Sequence, residues 1–265
     1  MPRAAAFIRL LTERDEDAGD EAGSSGGAGA AAAAGVLAAG DVSLPMAWSH
    51  DWKVLIYDTA TRAIVSPLLT VQELHACGVT LHMALESPRD SIPDVAAIYF
   101  LSPTAVAIRM LVDDAAAGRY RDLCCYFATP LPHSLMETLA LGCVQHACVP
   151  RISRIADAFM AFVALQPRLF TAAGLTNSFA AFASPSATEE EVTAYAANVA
   201  HALISVCATV GVVPLIVAPP GGPAEMVARM VDQSLRDHLA SPTASMFNAA
   251  SPEEAHASPL VSQLL

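Results

Sequence analysis

The side chains that could do chemistry are few, and each has a plain structural alternative. Asp58 closes the apolar run Trp52-Lys-Val-Leu-Ile-Tyr-Asp58, at the strand end where α/β enzymes keep catalytic groups. One carboxylate there is more simply read as the cap of the following turn. Cys143, His146 and Cys148, with His133 or Cys124 in reserve, are zinc-type ligands. Structural zinc sites announce themselves as two short-spaced pairs, and no CxxC pair exists here, so buried thiols and an ordinary histidine are expected and no metal. Gly221-Gly222, between an apolar run and a helix, has the layout of a phosphate-binding turn. Neither GxGxxG nor GxxxxGK[ST] is present, and Glu225 would repel a phosphate. Glu189 to Glu191 could face a metal or a basic partner, but a solvated helix start explains them. No GxSxG elbow occurs. The residues therefore point to no catalysis and no cofactor; a small α/β enzyme using Asp58 is the alternative.

Composition narrows the partners. The 26 acids and 14 bases give a formal charge of −12, and residues 13 to 21 are an acidic run with one arginine, the opposite of a nucleic-acid footprint. Six cysteines (Cys77, Cys124, Cys125, Cys143, Cys148, Cys207) lie in apolar surroundings and the N-terminus lacks a secretory pattern. A cytoplasmic chain with free thiols is expected. The uncharged stretch Val199 to Pro220 is long enough for a bilayer. It is interrupted by His201, Gly211 and Pro214, and reads instead as a helix end followed by a strand, with no transmembrane segment.

The elements that must position these groups follow from periodicity. Short, nearly continuous apolar runs at 52–58, 80–85, 95–101 and 123–127 are what strands buried on both faces look like. Between them lie helical segments at Thr70–Cys77, at Thr104–Ala117 with Thr104 as N-cap and Gly118 as stop, and at Ser134–Val144. Strand and helix alternate, so the fold class is α/β, a parallel sheet flanked by helices.

A second unit is expected from near residue 150. Its helix from Thr188 to about Val210 opens on a Thr188/Glu191 capping box and ends at Gly211. Val213-Pro-Leu-Ile-Val217 reads as a strand, and a helix with Val227, Val231, Leu235 and Leu239 on one stripe starts at Pro223. The divisions expected are 1–42, a mostly disordered acidic and Ala/Gly-rich N-terminus in which Ala6–Leu11 could be a short docking helix; 43–150, a first domain; 151–241, an incomplete opening half of a second α/β domain; and 242–265, a disordered tail.

Particular words within these segments resemble a known family. Trp52-Lys-Val-Leu-Ile-Tyr-Asp58, Ile64-Val-Ser-Pro-Leu-Leu69, Gly78-Val-Thr-Leu-His82, Ser87-Pro-Arg-Asp-Ser-Ile-Pro-Asp-Val95 and Ile98-Tyr-Phe-Leu-Ser-Pro-Thr104 are similar to the first domain of SM (Sec-one/Munc-eighteen-like) proteins. Val210-Gly-Val-Val-Pro-Leu-Ile216, Ala224-Glu-Met-Val-Ala228 and Leu235-Arg-Asp-His-Leu239 resemble the opening of that family's second domain. The Ile-Pro-Asp-Val and Ala-Glu-Met-Val words resemble the Sly-one branch, which serves transport between endoplasmic reticulum and Golgi. The resemblance covers roughly residues 46 to 239.

It implies a non-catalytic regulator of vesicle docking and fusion, peripheral at ER and Golgi membranes, that binds syntaxin-type Qa-SNAREs and SNARE complexes. In several branches the first domain holds an N-terminal syntaxin peptide in a shallow apolar groove beside the helix after the fourth strand. Here that helix carries Leu135, Met136, Leu139, Ala140 and Cys143, with Ala147 and Val149 at its exit near a fifth strand. Each of these could equally pack the helix onto its sheet. Pro132-His133 stands where the family has an arginine-type contact. Family members run to more than twice this length, so a truncated gene product without independent function is a further alternative, and the peptide-docking half of the function is what could persist.

Overall fold

The computed structural model describes residues 7, 8, 11, 52–166, 169–175 and 178–240. Of the segments expected to be disordered, 1–42 lies outside them except for residues 7, 8 and 11, and 242–265 lies wholly outside them. Five strands form one parallel sheet in the order β2-β1-β3-β4-β5: β1 Lys53–Tyr57, β2 Val79–Ala84, β3 Ala96–Leu101, β4 Leu123–Phe127 and β5 Ile152–Asp157. Each central strand is an apolar run because both its faces are covered. β3, for instance, buries Ala97, Ile98, Tyr99, Phe100 and Leu101 together.

The strand order reverses direction between β1 and β3, and right-handed crossovers then send the helices to opposite faces. α1 (Thr59–Val65) and α2 (Val71–Ala76) cover one face; α3 (Ala105–Ala116) and α4 (His133–Gln145) cover the other. The α3/α4 face is built on Val54, Ile56, Tyr99, Leu101, Cys125 and Phe127, and the other on Leu55, Tyr57, Ile98, Phe100 and Tyr126. Phe7 and Leu11 are buried in the second cluster, Phe7 edge-on to Phe100 at 5.2 Å, and the Lys53 Nζ donates to the Leu11 carbonyl at 2.8 Å.

The helix ends obey local rules. Thr104 caps α3 by accepting from the Ala107 amide, and Gly118 stops it with φ of 62°. A Cβ at Gly118 would sit 2.9 Å from the Arg151 guanidinium. α3 also buries Asp114, which pairs with Arg89 and Arg119 at 2.9 Å each and accepts from the Tyr99 hydroxyl at 2.8 Å. That network ties the Ser87–Val95 loop to the core.

β5 lies beyond the break expected near residue 150, so the parallel sheet continues across it. Its exposure alternates along Ile-Ser-Arg-Ile-Ala-Asp because successive side chains point to opposite faces and only one face is well covered here, at the end of the sheet. After it come an antiparallel hairpin, β6 Phe162–Gln166 and β7 Leu169–Ala172, then α5 Ser178–Ala183, α6 Glu189–Val210 and α7 Pro223–Ala240. α6 has the Thr188/Glu191 capping box and ends at Gly211, in the left-handed region with φ of 73°. It is long and apolar enough to cross a bilayer by length and composition, but buries Ala196, Ala200, Ala202 and Ile204 in the protein, packing on Val231 and Leu235 of α7.

The strand expected at Val213–Val217 does not form. The segment has no regular secondary structure; Ile216 packs against the α6/α7 cluster, but Leu215 is 92% and Val217 87% exposed. A strand exists only by its ladder, and among the described residues none runs beside it; Pro214, besides, has no N–H to donate.

A candidate peptide groove between α4 and the sheet edge

Asp58 is 7% exposed and its carboxylate is fully committed. Oδ1 accepts from the Thr61 amide at 2.8 Å and the Thr61 hydroxyl at 2.9 Å, and Oδ2 accepts from the Ser102 amide at 2.6 Å. It caps α1 and locks the end of β1 to the loop after β3, which is the capping role and not that of a base. At Gly221 the amide donates to Glu225 Oε2 at 2.6 Å, so the chain's own carboxylate occupies the place a phosphate would take. The glutamates at 189 to 191 start α6, with Glu191 closing the capping box. Cys143 and Cys148 are each 3% exposed, and burial pushes the Cys143 thiol up to about 11, opposite to what a thiolate ligand or nucleophile needs.

The region around α4 is different. Leu139 and Cys143 face inward, at 1% and 3% exposure, in the cluster with Cys125 and Phe127, and Leu135 is half-buried against it. On the neighbouring stripe Met136, Ala140 and Val144 recur every four residues and are exposed, Val144 by 67%, as the i, i+4 geometry of a helix requires. Leu141 is 61% exposed beside them. Gly142 is where α4 presses on α3, since a Cβ there would meet both Val112 methyls at 3.1 Å. At the helix exit Ala147 adopts φ of 53°, which turns the chain so that Cys148 goes in while Ala147 and Val149 stay out.

The second wall is β5. A register shift between Leu123 and Cys124 pairs Cys125 with Ile155 and Phe127 with Asp157. Neighbours in register share a face, so Ile155 and Asp157 lie on the face that α4 covers, and Ile155 is 38% exposed. Arg154 points to the opposite face, over the Tyr126 ring at 5.9 Å. The Asp157 Oδ1 accepts from the Leu131 amide at 3.0 Å, fixing the approach to α4. α4 runs antiparallel to β5, so Met136 lies toward Asp157, and Ala147 and Val149 toward the start of the strand. These exposed apolar side chains are the candidate lining of a shallow trough beside β5, whose outer edge pairs with no other strand among the described residues.

Of the residues expected to line a groove, Met136, Ala140, Ala147 and Val149 are exposed, Leu135 is half-buried, and Leu139 and Cys143 belong to the core. Val144 and Ile155 were not expected there. Val144 carried a signal, being eight residues after Met136 on the same stripe; Ile155 needed the position of the fifth strand.

Residues 53–261 match the model of the Sec1 family. The chain is 39% identical over 200 residues to the SEC1 family transport protein SLY1 of Oryza sativa, covering 76% of this chain and 32% of that protein. It is 34% identical over 194 residues to Protein SLY1 of Saccharomyces cerevisiae, covering 73% of this chain and 29% of that protein. It therefore spans about a third of the length of these relatives. Among solved structures, Sly1p in complex with an N-terminal peptide of Sed5p matches with a TM-score of 0.76 at 29% identity, covering 91% of this chain and 39% of that one. Vps45 in complex with the Qa SNARE Tlg2 shares the fold, with a TM-score of 0.66 at 18% identity, 93% of this chain and 36% of that one. With the parallel sheet and these matches together, the chain belongs to the Sec1 family.

Proposed function

We propose that this chain is a non-catalytic, SNARE-binding regulator of vesicle fusion whose trough between α4 and β5 receives an N-terminal peptide of a syntaxin-type Qa-SNARE. The observation that carries the reading is the exposed stripe Met136–Ala140–Val144 beside the open edge of β5. An extended peptide would lie in such a trough, seating alternate side chains against the helix while its backbone follows the strand edge. Likeness to Sly1p solved with a Sed5p N-terminal peptide supports that occupant. The names of the relatives support a place in transport, and the Sly-one resemblance supports a role between endoplasmic reticulum and Golgi, peripheral at membranes through the SNARE. The reading concerns peptide docking; the surfaces that would engage assembled SNARE complexes are proposed to lie in the part of the relatives' length that this chain does not span.

The test is a fluorescence anisotropy titration of the chain with the Sed5p N-terminal peptide. Saturable binding, lost on Ala140→Arg with folding intact, is expected. No binding, or equal binding by Ala140→Arg, would refute the reading.

A further inference from the structure

The acidity of this chain has one long gap. Residues 158–188 hold no aspartate or glutamate and one charged residue, Arg168, in a chain with 26 acids. The β6–β7 hairpin lies within that gap. Its base is fixed: Met160 and Phe162 are buried, the Ala161 amide donates to the Ser205 hydroxyl at 3.1 Å, and the Ala173 amide donates to the Ala161 carbonyl at 3.0 Å. Exposure then rises toward the turn. β6 passes from buried Phe162 through half-buried Val163 and Ala164 to Leu165, 58% exposed; β7 passes from half-buried Ala172 to Phe170 at 41% and Leu169 at 50%. A register shift between Ala164 and Gln166 leaves Leu165 outside the ladder, and such a bulge re-aims the extra side chain. The hairpin thus leaves the body of the protein with its large apolar side chains where they are least covered.

We propose that this hairpin tip is a lipid-contact surface, with Leu165, Leu169 and Phe170 entering the boundary between headgroups and acyl chains of a phospholipid bilayer. An exposed apolar patch marks either a protein or a membrane contact. Three partly exposed side chains on a narrow tip fall far short of the about 800 Å² per partner that a stable protein interface uses, whereas they are enough to wedge between headgroups. The charge pattern agrees. A chain of net charge −12 is repelled by anionic headgroups, and the acid-free stretch is where it can approach them. Phe170 already stands edge-on to Phe162 at 5.6 Å, so inserting it costs little further ordering. The contact does not depend on the peptide trough.

The test is co-sedimentation of the chain with sucrose-loaded vesicles at millimolar lipid, of phosphatidylcholine alone or mixed with phosphatidylserine, at low and high salt. Saturable binding to phosphatidylcholine that persists at high salt is expected, with no tightening by phosphatidylserine. Leu165→Ser/Leu169→Ser, with its circular dichroism unchanged, should bind at least about ten-fold more weakly, since each half-exposed leucine accounts for about three- to ten-fold. Leu215→Ser, at an exposed leucine outside the gap, should bind like the unmodified chain. In Leu169→Trp the added indole should shift its emission to shorter wavelength when vesicles are present, a readout that loss of folding cannot supply. No binding to either vesicle, binding that requires phosphatidylserine and disappears at high salt, an equal loss in Leu215→Ser, or an unshifted indole would each overturn the proposal. Self-association that depends on Leu165 and Leu169 without vesicle binding would also overturn it, by making the tip a protein contact.

Discussion

The separation of α4 into a core stripe and an open stripe makes a quantitative prediction that a pair of substitutions can decide. Val144 is 67% exposed and Leu139 1%. Full burial of a valine side chain is worth about 1.5–3 kcal/mol. The exposed two-thirds of Val144 thus leaves about 1–2 kcal/mol for a docking peptide to capture, or about 5- to 30-fold in Kd. Val144→Asp forfeits that and adds the cost of drying a carboxylate, so binding of the Sed5p N-terminal peptide should fall by at least about ten-fold. Stability should change by no more than about 0.5 kcal/mol, because this side chain is mostly exposed and outside the core clusters. Leu139→Ala should do the reverse, costing about 2–5 kcal/mol of folding free energy through the cavity it leaves under α4, while any folded fraction binds almost as before. Urea denaturation followed by circular dichroism gives the stabilities, and anisotropy titration the affinities. A Val144→Asp chain that binds like the unmodified one, or that unfolds as readily as Leu139→Ala, would refute the division of the helix.

Other regions make their own predictions. Asp114→Asn leaves Arg89 and Arg119 facing a neutral amide in the core, and urea denaturation should show a loss of about 3–5 kcal/mol, as for other broken buried pairs. Burial lowers the His201 pKa below its ordinary 6.5. The unfolded chain therefore takes up the proton first as pH falls, and stability should decline on acidification from about 6.5 down to the folded value; a His201→Gln chain should lack that part of the slope between pH 7.5 and 5.5. Burial raises the Cys125 and Cys143 thiols, so both should resist iodoacetamide at pH 8 until the chain is unfolded, as peptide mass mapping would reveal.

Legibility followed covering. β1, β3 and β4 are continuous apolar runs because helices close both their faces, and such runs stand out in a sequence. β5 was expected only as a fifth strand near Ala147 and Val149, because the apolar pattern of the edge strand Ile152-Ser-Arg-Ile-Ala-Asp157 is too weak to fix its bounds or register. Helix caps were legible at Thr104, Thr188 and Gly211, where one side chain or one glycine carries the signal locally. The trough was legible only as a helix. Leu139 and Leu141 are the same residue two positions apart, yet one is in the core and the other 61% exposed, because two positions are about 200° around a helix. The Arg89–Asp114 pair joins residues twenty-five positions apart that no local pattern links. At Val213–Val217 the apolar run was read as a strand, but a run cannot reveal whether a neighbouring strand will be there to pair with it.

The central claim is that an extended peptide docks between α4 and the edge of β5. Titrating the isotope-labelled chain with the Sed5p N-terminal peptide and following backbone amide NMR shifts tests it directly. The account predicts saturable shifts concentrated at residues 133–157, greatest around Ala140, Val144 and Ile155, with α1, α2 and the α6/α7 pair unmoved. Shifts centred on the α1/α2 face or on the α6/α7 pair would contradict it.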